Sequence, residues 1–200
     1  TTREQLRAIY KAPGGNAVRK ELRALDRHCR NFIAHSPFVL IGSSDRDGNA
    51  DVTPKGDRPG FALVLNDTTV AIPDRPGNNR LDTLENILVN PAVGLIFLIP
   101  GMNETLRVNG TAQLTTDPEL RERLAVDGKL PQSVIVVSVR AAYLHCAKAF
   151  MRSRLWEPET WVDRSTLPSL GQMLKDQIEF AESAEKTDEW LADAYRRSMW

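Results

Sequence analysis

The sequence is short of cysteine: it holds two, Cys29 and Cys146, far apart in the chain. Two scattered thiols build no disulfide framework and fit a reducing compartment. It also lacks a charge excess, because Lys+Arg 26 equals Asp+Glu 26. No global field therefore draws it to nucleic acid, and any anion site must be local. Long apolar runs are missing as well. The longest, 93–100, is interrupted by Gly94 and falls short of the roughly 20 residues that span a bilayer. The opening Thr1-Thr2-Arg3-Glu4-Gln5 has no apolar signal core. These absences point to a cytoplasmic chain with neither a membrane nor a nucleic-acid partner. Asn66, Asn103 and Asn109 each begin an Asn-x-Thr triplet, read here as turn chemistry rather than glycan acceptors.

Several catalytic signatures are absent too. There is no Gly-x-Ser-x-Gly elbow, P-loop, Gly-x-Gly-x-x-Gly or His-Glu-x-x-His, so hydrolase triads and metalloprotease chemistry have no support. His28-Cys29 and His145-Cys146 are adjacent pairs without zinc spacing, and no metal is expected.

What is present describes one domain of 200 residues, 42% apolar and 26% charged, able to bury its own core. Residues 1–37 read as a helical segment. Val18, Leu22, Leu25, Cys29, Phe32 and Ile33 recur every three or four positions as one apolar stripe, with Arg19, Lys20, Arg23, Arg27 and Arg30 on a solvated basic face. Residues 38–157 read as β: short runs at 38–41, 50–53, 61–65, 69–72, 93–99, 106–114 and 134–139 with turn signals between them suggest a barrel or sandwich of about six strands. Two helices interrupt it. One, at 81–89, sets Leu81, Leu84, Ile87 and Leu88 on one side. The other is capped by Asp117, has Pro118 in its first turn, and is followed by Gly128. Residues 158–200 read as a helical extension. Leu170, Met173, Leu174 and Ile178 share a face, and a last helix starts at Thr187 and carries Trp190, Leu191, Ala194 and Tyr195. Those late aromatics should pack on the barrel or on a second subunit.

Four segments concentrate chemistry. In the first, a strand runs into Asp74-Arg75-Pro76-Gly77-Asn78-Asn79-Arg80 and then a helix. A helix start offers free N–H groups and a positive dipole end, Asn78 or Asn79 can cap, and Arg80 can grip a phosphate. In the second, Thr53-Pro54-Lys55-Gly56 puts a hydroxyl, a cation and a small residue at a strand end, suited to a phosphate or a closely approached ring. The third places Thr105, Arg107 and Asn109 on one strand face. The fourth gathers His145, Lys148, Arg152, Arg154 and Trp156 after a strand, a basic segment with an indole that suits a phosphorylated aromatic. Each has a bland reading: a capped helix, common loop chemistry, a solvated strand face, a packed tryptophan.

In order, Thr53 to Gly56, Pro73 to Asn78, Leu106 to Gly110 and His145 to Ala149 resemble the pyridoxamine 5′-phosphate oxidase-like family of FMN-binding split barrels, and within it a bacterial FMN-dependent branch. The resemblance implies an α+β fold built on a six-stranded antiparallel split barrel, and a homodimer with FMN at the subunit interface. It implies that Thr53, Pro54, Lys55 and Gly56 line the flavin, and that Asp74 and Arg75 end the fourth strand. Asn78, Asn79 and Arg80 would hold the phosphate, and Thr105 or Arg107 would reach ring or phosphate. His145, Lys148, Arg152, Arg154 and Trp156 would complete the partner's site. A cation at the flavin N1–C2=O edge would stabilise charge there; Lys55 is the first choice and Arg107 the second. True pyridoxamine phosphate oxidases carry an Arg-x-His pair where this chain reads Arg152-Ser153-Arg154. The resemblance therefore implies an FMN-dependent oxidoreductase acting on another small molecule. The alternatives are a flavin carrier without turnover, or a barrel that binds haem or a deazaflavin.

Overall fold

The computed structural model describes residues 1–199. Seven strands form one antiparallel sheet: β1 (Phe38–Ser44), β2 (Ala50–Gly56), β3 (Leu63–Asn66), β4 (Thr69–Pro73), β5 (Ala92–Leu98), β6 (Thr105–Thr115) and β7 (Val134–His145). Their spatial order is β2-β1-β5-β6-β7-β4-β3. The sheet has one strand more than the six expected. All seven fall on runs read in the sequence; β3, from the 61–65 run, is a four-residue edge strand paired with β4 alone and bulged before Asn66.

Alternation drives the sheet. In β1, Val39, Ile41 and Ser43 are buried while their neighbours are half-buried, the period-two signature of a strand with one face on a core. Val39, Ile41, Leu95, Phe97, Leu106, Val108, Ile135 and Val137 meet Val70 and Ile72 in one cluster. The Asn109-Gly110 pair marks a β-bulge facing β7. A side chain at Gly110 would place its Cβ 2.1 Å from the Ser138 carbonyl oxygen, so only glycine permits this crossing.

The N-terminal segment departs from the single stripe read in the sequence. It forms three helices, α1 (Arg3–Ile9), α2 (Gly15–Arg19) and α3 (Arg27–His35). Between α2 and α3 the chain bridges to the sheet. Leu22 exchanges both backbone hydrogen bonds with Ala142 of β7, at 2.9 and 2.8 Å. Asp26 then caps α3 by accepting from the His28 and Cys29 amides. Val18 is left exposed, while Leu25, Cys29, Phe32 and Ile33 join the core. A spacing of three or four residues cannot distinguish one long helix from a bridged entry into a shorter one.

α4 (Asp82–Val89) buries Thr83 and Ile87 and leaves Leu81 and Leu88 exposed. α5 (Pro118–Arg123) is capped by Asp117, whereas Gly128 belongs to a tight hairpin bridging Val126 and Lys129. After β7 come α6 (Lys148–Ser153), α7 (Leu170–Ile178) and α8 (Ala184–Ser198). α8 starts before Thr187 because Ser183 supplies the cap. Leu170, Ile178, Trp190 and Tyr195 remain exposed, since α7 and α8 meet through the small residues Gly171, Ala184 and Thr187. Among the described residues, no helix is long and apolar enough to cross a membrane.

Candidate functional site

The edge strand β2 sets one wall. Its alternation leaves Asp51, Thr53 and Lys55 half-buried on one face, and Val52 and Pro54 exposed on the other. Proline is tolerated there because an edge strand need not donate outward. α4 lies across β1 and β2, tied down by polar contacts. The Thr83 hydroxyl donates to Asp51 Oδ2 (2.8 Å), Asn86 Nδ2 to Ser43 Oγ (3.1 Å) and Asn90 Nδ2 to Ser44 Oγ (2.8 Å). These contacts aim the N-terminal end of α4 at the inward face of β2.

The 74–80 corner sets the opposite wall. The Asp74 amide donates to Ser133 O, fixing the exit from β4. Asn79 adopts a left-handed backbone, φ 60°, which asparagine tolerates better than most residues. The Asn78 side chain accepts from the Arg80 amide at 3.0 Å. Neither asparagine caps α4, which corrects the expected cap: Leu81 occupies that position and, among the described residues, makes no side-chain cap hydrogen bond.

Between the walls lies a cleft of about 560 Å³, within the range of small-molecule and cofactor sites. It is lined by Thr53, Pro54, Lys55 and Gly56 from β2, by Asp74 through Arg80 from the corner, and by Thr83 and Leu84 from α4. Lys55 Nζ pairs with Asp74 Oδ1 at 2.6 Å, both side chains about one-fifth exposed or less. Arg75 is committed to structure. Its Nε pairs with the buried Asp57 carboxylate at 2.7 Å, and its Nη1 donates to Leu124 O. Arg80 is exposed and pairs with Asp82 at 2.9 Å.

The other expected site residues lie outside this cleft. Thr105 is buried on β6, opposite His145 of β7. Arg107 stacks on Tyr143, 5.3 Å from the ring centre, and Lys20 approaches the same ring at 5.9 Å. Lys148 and Arg152 are exposed on α6. Arg154 closes α6 in a left-handed conformation and pairs with Glu157 and Glu159. Trp156 donates its indole N–H to Met102 O at 2.9 Å and stacks on Phe150, which fixes α6 against the β5–β6 loop.

Residues 25–146 match the family model described as Pyridoxamine 5′-phosphate oxidase. The chain belongs to that family. No curated protein matches the sequence. Among solved structures it is similar to a candidate pyridoxamine 5′-phosphate oxidase from Lactobacillus delbrueckii (21% identity, 62% of this chain and 98% of that one, TM-score 0.50). It is also similar to a substituted form of HupZ from Group A Streptococcus (16% identity, 60% and 99%, TM-score 0.50). A third is an FMN-binding protein from Syntrophomonas wolfei (15% identity, 58% and 83%, TM-score 0.48). At these identities the first two likenesses are likenesses of fold, and the antiparallel sheet with flanking helices is the split-barrel fold of the pyridoxamine 5′-phosphate oxidase family. The family match holds every cleft residue named from β2, the corner and α4. Two further lining residues come from far along the chain. Gln132 lies just before β7, within the matched span, and Tyr195 lies beyond that span on α8. Neither is signalled as a site residue in the sequence, since no local motif links them to β2.

Proposed function

We propose that the chain binds FMN in this cleft and, as a homodimer, uses it as an oxidoreductase on a small molecule. One observation carries the reading: Thr53 to Gly56 and Asp74 to Arg80, separated in sequence, line a single cleft in a member of this family. The donor set suits a phosphorylated ring. Arg80 and the uncapped first turn of α4 offer N–H groups and positive charge to a phosphate. Lys55 offers a positive charge at a ring edge, and Gly56 admits close approach. To grip the phosphate, Arg80 must exchange Asp82 for it, a charge-assisted bond gained for one exposed ion pair given up. Asp74 holds Lys55 in place.

Bound flavin would supply the redox chemistry; the chain orients it and sets the charge around it. His145, Lys148 and Arg152, at the far end of β7 and on α6, are proposed to reach the partner's site. Exposed Leu81, Leu88 and Val89 at α4, with Trp161 and Val162 after α6, give a dimer apolar surface to cover.

The absorbance spectrum of the purified protein tests the reading. A flavin spectrum bleached by a nicotinamide supports the oxidoreductase. Flavin that no physiological reductant bleaches makes the protein a carrier. A Soret band or a deazaflavin spectrum replaces FMN with another ligand. None of His28, His35 or His145 lines the cleft within one protomer, so haem held here would draw no histidine ligand from the protomer that forms the cleft.

A further inference from the structure

The helical pair α7–α8 lies wholly outside the family match, yet it delivers an aromatic side chain to the cleft. How the pair is built explains the delivery. Ser169 caps α7 and Ser183 caps α8. The Gly171 amide donates to Asp188 Oδ1 at 2.8 Å, joining the two helices near their starts. A Cβ at Gly171 would stand 2.3 Å from the Ala184 carbonyl oxygen, so the helices cross at a distance that only glycine allows. Ala184 and Thr187 are buried at that crossing. About two turns further along α8, Tyr195 lines the same cleft as Lys55 and Arg80.

Tyr195 differs from the other aromatic of that lining. Phe61 is 8% exposed and already part of the core, whereas Tyr195 is 54% exposed. Its ring has a face to give. The remaining lining is charged, amide or small, apart from prolines, Leu81 and Leu84, so among the described residues a flat aromatic ligand in the cleft finds one available ring partner.

We propose that Tyr195 is a binding residue of this site, packing its phenol against the ring system of the bound flavin, and that 158–199 is thereby part of the cofactor site. The proposal rests on the flavin reading above. Ring against ring gains dispersion and buries apolar surface on both sides. A phenol in contact with flavin also donates an electron to the excited ring and quenches its emission, which phenylalanine does not.

The test uses the full chain with FMN titrated in, read by flavin emission and by Kd. Tyr195→Phe should raise the emission of bound FMN while leaving Kd within about twofold. Tyr195→Ala should weaken binding about threefold to tenfold, the span a ring contact supports. Gly171→Ala, which forces the α7–α8 crossing apart without touching the cleft, should raise emission as Tyr195→Phe does. Unchanged emission in Tyr195→Phe, or unchanged Kd in Tyr195→Ala, overturns the proposal while the flavin reading stands. A wild-type chain that takes up no FMN overturns the flavin reading and this inference together.

Discussion

In the proposed reading, the Arg80–Asp82 pair sets how the cleft meets an anion. The guanidinium is three-quarters exposed and spends its charge on a carboxylate two residues on. Removing it should lower FMN retention by about 1.5–3 kcal/mol, the scale of a bond to a charged group; equilibrium dialysis of Arg80→Ala measures this, and full retention takes Arg80 out of the site. Asp82→Asn should act oppositely, because it frees Arg80 and removes a negative charge from the first turn of α4. Tighter FMN binding in that variant is the expected outcome of the same titration. The thiols separate cleanly. Burial, with a further push from the neighbouring Asp26 carboxylate, raises the Cys29 pKa to about 11, while Cys146 is exposed. Alkylation of the native protein near neutral pH should therefore label Cys146 and spare Cys29 until the chain unfolds. Residue chemistry is legible in the sequence where it is local: Lys55 and Arg80, singled out by their motifs, both line the cleft. Asn78 reads as a helix cap, yet its side chain serves the Arg80 amide instead. An asparagine just before a helix can do either, and sequence does not choose between the two.

At the scale of elements, close approaches set what each piece tolerates. Gly110 lets β6 bulge against β7, and an alanine there meets the Ser138 backbone. Gly110→Ala should cost about 1–3 kcal/mol as overpacking against a rigid neighbour, measured as a lowered midpoint in urea. The Asn109-Gly110 pair thus has a structural reason within a motif that first stands out for its chemistry. The α7–α8 clasp is expected to loosen in acid. The Ser169 side chain and the Gly171 amide hold the Asp188 carboxyl below the ordinary carboxylate range. A group with a depressed folded-state pKa stabilises above its unfolded value and loses that contribution as pH falls through the folded one. Amide exchange at Gly171, compared after allowing for the intrinsic rate, should quicken below about pH 4, and Asp188→Asn should abolish the pH dependence. Strands are easier to read than helices here, since alternation in β1 and β5 has only one structural meaning. The Leu22–Leu25 stretch fits two, and the pairing of Leu22 with Ala142 of β7 decides between them.

Across the whole molecule, the split barrel is legible in the order of four short motifs, and the 53–56 and 74–80 walls do come together. Gln132 and Tyr195 are not legible, because a cleft recruits side chains by position in space, and theirs is set by the entry to β7 and by the α7–α8 crossing. Leu88, Trp161, Val162 and Trp190 are among the apolar side chains left exposed, and the proposed homodimer would cover such surface. Sedimentation should show a dimer at micromolar concentration; a monomer there would remove the shared site. The manner of any such pairing is constrained by Pro54. It sits on the outermost strand, β2, with no amide hydrogen to offer a newcomer. Continuous strand-to-strand growth along that rim is thereby interrupted. Copies meeting there must recognise one another by side chains, which guards the protein against ribbon-like self-assembly at the very edge that walls its cleft.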